Sequence, residues 1–198
     1  MKQPDLENFV GIHNRKYCDG GQCIRLYKTF MKKKDPEAAN IVMGHNEEDL
    51  LGLGTIFSLL AYKKLYDGEY HPKQCVILEQ ELKIVIELSA AAPVNVSCGN
   101  SDFYLSVNGY EARMLVHLKE GKLRQYYRNY KDYEFIPGED TAMPKSITRY
   151  MDKSLKIATT PQTCYTWFNC DEDFLNNEKK QMQYLTHTLP FFLDNLNK

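Results

Sequence analysis

His45 and Asp49 stand four residues apart in the segment His45-Asn46-Glu47-Glu48-Asp49. In a helix that spacing sends an imidazole and a carboxylate out of one face, one turn apart. Carboxylate oxygens hold divalent cations, and an imidazole can take a proton from a metal-bound water. The pair is therefore half of a hydrolytic site, with Asp49 as metal ligand and His45 as the group that activates water. The other half needs more carboxylates, because two cations must stabilise both the attacking and the leaving oxygen. The sequence offers no strand-borne Asp-x-Glu to supply them. Glu79-Gln80-Glu81 comes nearest, and exposed strand charges explain it better.

A second stretch carries another chemistry. Lys122 to Phe135 reads KLRQYYRNYKDYEF, interleaving Arg124, Arg128 and Lys131 with Tyr126, Tyr127, Tyr130 and Tyr133. Cations neutralise phosphates and aromatic rings stack on bases, so Arg124, Tyr126, Arg128 and Lys131 are candidate contacts for single-stranded nucleic acid. A pair of amphipathic strands with packed tyrosines and solvated charges gives the same alternation. Lys32-Lys33-Lys34 fits a helix end in solvent, and phosphate contact is its other reading. His13, His71, His117 and His187 have no chemical company in the sequence. There is no P-loop, dinucleotide fingerprint or serine elbow.

Helices must position the first pair. Gln22 to Lys33 is amphipathic, with Ile24, Tyr27 and Met31 on one face. Asp35-Pro36-Glu37 is a helix start. The helix it opens is expected to pause near Gly44 and resume from Asn46 to about Leu65. Its apolar residues Leu50, Leu53, Ile56, Phe57 and Leu60 imply burial over much of its circumference. Residues 5 to 20 look irregular. Beyond His71-Pro72 the pattern becomes strand-like, with Leu82 to Leu88 alternating and Asn108-Gly109 signalling a hairpin. Glu120-Gly121 suggests another turn. Leu123 to Tyr127, Tyr133 to Ile136 and Cys164 to Phe168 read as strands. Lys145 to Ala158 reads as a helix, as does the tail from Glu178, which Pro190 should break or kink. The expected fold class is α+β: helices in residues 1–70, then an antiparallel β-rich part with flanking helices in 71–198.

Composition sets bounds. The 198 residues are 43% hydrophobic and 26% charged, with a net charge of -1 and 14 tyrosines. No global field draws this chain to nucleic acid or an anionic membrane, so any basic surface is local. No apolar run approaches the ~20 residues of a membrane helix, and the N-terminus lacks the apolar core of a signal peptide. A cytoplasmic location is expected. The six cysteines (Cys18, Cys23, Cys75, Cys98, Cys164 and Cys170) contain no C-x-x-C pair and are read as reduced thiols. Zinc on Cys164 and Cys170, or on His71 and Cys75, misses the usual ligand spacing.

Several segments together resemble the YprB-like, ribonuclease H-like proteins, relatives of the DEDD 3′-5′ exonucleases. They are Leu6 to Ile12, Asp19 to Ile24 with Tyr27, and His45 to Asp49. Further on come Gly121-Lys122-Leu123, Tyr130 to Tyr133, Pro137, Glu139-Asp140, Lys145-Ser146 and Thr163-Cys164-Tyr165. The resemblance implies a site of four carboxylates around two divalent cations. Asp49 matches the last of these and His45 the residue four before it, which orients or deprotonates the attacking water. The first three carboxylates have no match here. Pro144 stands where relatives often have histidine, and Trp167 to Asn177 departs from the pattern. The expectation is a truncated ribonuclease H-like, nucleic-acid-processing protein, the C-terminal portion of such a domain plus its extension, inactive alone. Mg²⁺ or Mn²⁺ would bind only if a complementary fragment or a second copy supplied the missing carboxylates. The alternative is a non-catalytic module that binds nucleic acid or protein.

Overall fold

The computed structural model describes residues 2–13, 15–17 and 19–196. The chain divides into two compact units, residues 1–60 and 61–198. Helices followed by antiparallel sheets make it an α+β protein. No helix is long and apolar enough to cross a membrane.

The first unit is helical. α1 (Gln3–Phe9) forms where the sequence suggested irregular chain. Pro4 sits in its first turn, the Asp5 carboxylate accepts the Lys2 amide at 2.8 Å, and Gly11 ends it at φ +92°. A helix this short gives too few apolar repeats to read. α2 (Gly20–Lys33) starts on Asp19, whose carboxylate accepts the Gln22 amide, and stops at Lys34 in the left-handed region. α3 (Pro36–Ile56) starts on Asp35 with Pro36 in its first turn, as the sequence indicated.

Two expectations about α3 fail. It runs through Gly44 unbroken, and the interruption comes later, as a 3-10 turn over Phe57–Leu59 before α4 (Leu60–Asp67). Its apolar residues are also not buried around the helix. Met43, Leu50, Leu53 and Phe57 are 69%, 71%, 42% and 66% exposed and form one stripe. Ile24, Tyr27 and Met31 on α2 are likewise exposed. The covered side of α3 is its polar and glycine side, where Gly44, His45 and Gly52 are buried.

The second unit holds the large core. β1 (Tyr70–Leu78), β2 (Glu81–Gly99) and β3 (Phe103–His117) form an antiparallel sheet in that order. Asn108-Gly109 does not close a hairpin: β3 passes straight through it, and the turn lies at residues 100–102, where the Asn100 side chain accepts the Asp102 and Phe103 amides. Gly109 instead takes φ +54° at a bulge. There β2 advances from Glu87 to Ala92 while β3 moves only from Glu111 to Gly109. The slip shifts the inward set of β3 from Phe103, Leu105 and Val107 to Ala112, Met114 and Val116, and so keeps one core face continuous.

Lys119 and Lys122 pair across a two-residue turn at Glu120-Gly121, both with positive φ, which leads into β4 (Lys122–Tyr126). β4 pairs with β8 (Tyr165–Asn169). β5 (Tyr133–Ile136) lies between β6 (Thr141–Pro144) and β7 (Ile157–Ala158).

The helix expected over 145–158 shrinks to α5 (Lys145–Thr148). Its apolar residues Ile147, Tyr150 and Leu155 find nothing to pack on. Lys156 instead bonds the Thr148 carbonyl and the Glu134 carboxylate at 2.6 and 2.8 Å, and Ile157 pairs with Phe135 in the sheet. After α6 (Glu172–Leu175), α7 (Glu178–Asp194) runs unbroken through Pro190. An interior proline costs about 3 kcal/mol. Fully burying each of Leu185, Leu189 and Phe192 returns about 1.5–3 kcal/mol, so packing outweighs the break. Phe192 stacks on Phe103 at 4.2 Å and Phe191 on Tyr126 at 3.7 Å, tying α7 to β3 and β4.

Candidate functional site

His45 and Asp49 leave the same side of α3 one turn apart, with His45 Nε2 3.5 Å from Asp49 Oδ2. The imidazole is buried, and its Nδ1 is cut off from solvent without a hydrogen-bond partner. The other Asp49 oxygen accepts from the Arg15 guanidinium. Arg15 also grips Glu7, Nε to Oε2 at 2.8 Å and a terminal nitrogen to Oε1 at 2.6 Å. Gln3 adds a 2.8 Å bond to Glu7 Oε1 and reaches the Asp49 carbonyl at 3.3 Å.

Glu7 is only 2% exposed, so its charge is sustained by these donors. Its pKa is lowered, chiefly by the Arg15 hydrogen bonds acting against burial. Arg15 is driven further into its protonated form, first by Glu7 and then by Asp49. Next to Asp49 on α3, the Glu48 carboxylate accepts the Lys16 amide at 2.8 Å and the Tyr17 amide at 3.2 Å. Residues 15–17 are thus held on the helix by two carboxylates.

The glycines of α3 permit this approach. A Cβ at Gly44 would overlap the Tyr17 ring, and one at Gly52 would overlap Glu7 Oε1. Gly44, Glu48 and Gly52 recur every fourth residue and so share one face. Glu7, Arg15 and Glu48 are the residues that sequence reading missed. Glu7 lay inside the segment that carries the family resemblance, but its link to Asp49 runs through a guanidinium 34 positions from that aspartate. No local spacing signals such a contact.

By itself this arrangement does not fit a pair of divalent cations. Among the described residues, no group of three or more His, Cys, Asp or Glu side chains is disposed to hold a metal. The one carboxylate beside His45, Asp49, shares the Arg15 guanidinium with Glu7. Guanidinium and metal compete for carboxylate oxygens, and here the guanidinium holds Asp49 Oδ1.

Of the four candidate nucleic-acid contacts, Arg124 and Tyr126 line one cavity and Lys131 lines another. The Arg124 guanidinium lies over the Tyr165 ring at 4.5 Å and the Trp167 ring at 4.6 Å, with Asp140 at 4.0 Å. Tyr126 is 5% exposed and stacked on Phe191, so its faces are committed to the core. Arg128 sits over the Tyr66 ring at 4.9 Å. Lys131 belongs to a cavity of about 550 Å³ shared with Lys145, Lys153 and Lys156, whose carboxylate, Glu134, is already bonded to Lys156 and Thr148.

Cys75, Cys98, Cys164 and Cys170 are free thiols, and Cys18 lies outside the described residues. Burial pushes Cys75 up to about 12 and Cys164 and Cys170 up to about 11.

No curated protein and no solved structure shows a significant match to the chain. Members of the RNase H superfamily generally use divalent metals and act on nucleic acid. A family model described as RNase_H superfamily matches residues 2–61, the span of the helical unit that carries His45 and Asp49, and so supports a ribonuclease H-like domain there and a nuclease-like kind of function.

Proposed function

We propose that the helical unit contributes the His45–Asp49 helix to a ribonuclease H-like, nucleic-acid-processing site related to 3′-5′ exonucleases. Its remaining carboxylates come from another polypeptide segment, and this chain alone is inactive. The observation that carries the reading is the uncovered stripe beside Asp49. Met43, Leu50, Leu53 and Phe57 form an apolar seam on the helix that bears the candidate ligand. Large contiguous apolar surface marks an interaction site, and a sheet bearing acidic residues would cover the seam and bring carboxylates to Asp49 together.

The test incubates the purified chain with labelled single-stranded DNA or RNA and Mg²⁺ or Mn²⁺, with and without a fragment encoding Asp-x-Glu-bearing ribonuclease H-like strands. No cleavage is expected from the chain alone. Metal-dependent cleavage is expected from the mixture, lost in Asp49→Ala. Robust cleavage by the chain alone, abolished by chelator, would overturn the reading.

A second reading, a nucleic-acid-binding module without catalysis, is favoured by the lysine cavity at Lys131. Binding of single strands without metal, steeply weakened by salt and by Lys131→Ala with Lys145→Ala, supports it. Equal binding by those variants removes it.

A further inference from the structure

The second unit holds another cavity, of about 310 Å³, beside the Glu120-Gly121 turn. One wall is cationic: Lys119, Lys122 and Arg124. The two lysines are paired by reciprocal backbone bonds of 3.1 and 3.0 Å, so the turn holds both stems at the same rim. Among the described residues neither makes an ion pair. Lys119 Nζ stands 5.7 Å above the Trp167 ring.

Arg124 is fixed between Tyr165 and Trp167. Its carboxylate neighbour, Asp140, is largely spent on the Tyr165 hydroxyl at 2.7 Å and the Trp167 indole N–H at 3.1 Å. Val116, Phe192 and Tyr126 add apolar surface to the lining. Asp102 is the one carboxylate in the lining.

Packing of Arg124 on two rings explains that residue by itself. It does not explain two lysines without ion-pair partners at the rim of an aromatic-walled hollow. A bare phosphate would satisfy the cations and leave the apolar surface wet. A planar ring carrying a phosphate uses both, and a cavity near the small end of ligand sites, roughly 300–1,000 Å³, suits a single nucleotide. We propose that this cavity binds one nucleoside monophosphate unit, with its phosphate on Lys119, Lys122 and Arg124 and its base against Trp167 and the apolar lining. The unit is either free or the phosphorylated end of a strand. The inference rests on the second unit alone, so it stands or falls apart from the reading of His45 and Asp49.

Trp167 is the sole tryptophan, so its fluorescence reports the site directly. The full chain is titrated at low salt with AMP, adenosine, inorganic phosphate and a 5′-phosphorylated oligonucleotide. Saturable quenching by AMP below about 1 mM is expected, at least about tenfold tighter than by phosphate or adenosine. Tighter binding of the oligonucleotide than of AMP assigns the site to a strand end, and equal or weaker binding assigns it to the free nucleotide. Lys119→Ala with Lys122→Ala, both on the surface, should weaken AMP about tenfold or more at an unchanged melting temperature. Arg124→Lys should weaken it too, since a point charge cannot replace the planar fork. No saturable change up to about 10 mM, equal affinity for phosphate and AMP, or undiminished binding in the double variant would each overturn the proposal.

Discussion

Arg15→Ala tests the account of the helical unit most sharply. The Glu7 carboxylate receives three side-chain hydrogen bonds, two from Arg15 and one from Gln3, while almost wholly buried. Removing Arg15 leaves only Gln3. Breaking a buried pair by deleting one partner costs about 3–5 kcal/mol. Arg15 is a quarter exposed and the unit is small, so water reaches the gap and the expected cost falls to about 2 kcal/mol.

Glu7→Gln removes the charge that needs pairing, so combining it with Arg15→Ala should recover about half of that loss. Urea unfolding provides the assay. The helical signal in the far ultraviolet draws on α1–α3 of the first unit as well as α4 and α7 of the second, and Trp167 fluorescence reports only the second. The helical transition should move to lower urea in Arg15→Ala while the Trp167 transition stays. A shift below about 0.5 kcal/mol, or an equal shift in both signals, refutes the reasoning. The pH dependence carries a definite sign. Glu7 has a folded pKa below the ordinary 4.5, so its contribution is present above that value and is lost as pH falls through the lowered one. Arg15→Ala should flatten this acid limb.

Two glycines of α3 give opposite outcomes for one substitution. Gly44→Ala forces the Tyr17 ring aside and should destabilise by about 1–3 kcal/mol, whereas Gly54→Ala meets nothing and should stabilise by about 0.5–1 kcal/mol, both read from chemical denaturation. Cys75, Cys164 and Cys170 should resist alkylation at mildly alkaline pH in the native chain and react once urea unfolds it, because burial holds them as thiols; mass spectrometry of labelled peptides checks each one. Gly109→Val should cost more than Asn108→Ala in thermal melts, since only Gly109 must hold a positive φ at the bulge that keeps both halves of β3 facing one core.

The sequence revealed what local chemistry controls. Asp35 starts its helix because a carboxylate beside free amides works without tertiary help. Glu120-Gly121 turns for the same kind of reason. Asn108-Gly109 misled because a glycine able to take positive φ serves a bulge as well as a turn, and only the partner strand decides between them. Residues 145–158 have a helical stripe, but Lys156 and Ile157 are claimed by Glu134 and Phe135. Pro190 was outvoted by the core around it. The spacing of His45 and Asp49 on one helix side could be read from their numbers. Arg15 could not, because its value comes from two carboxylates at 8 and 34 positions' remove that meet only after α1 docks.

The bare seam on α3 has a consequence outside the test tube. Quality-control machinery recognises apolar side chains that stay wet, and a fold that displays Met43, Leu50 and Phe57 together offers that signal without unfolding. Under the proposed function, the chain's lifetime in a cell would follow the supply of the segment that covers the seam. Made in excess, it would turn over as an orphan subunit does.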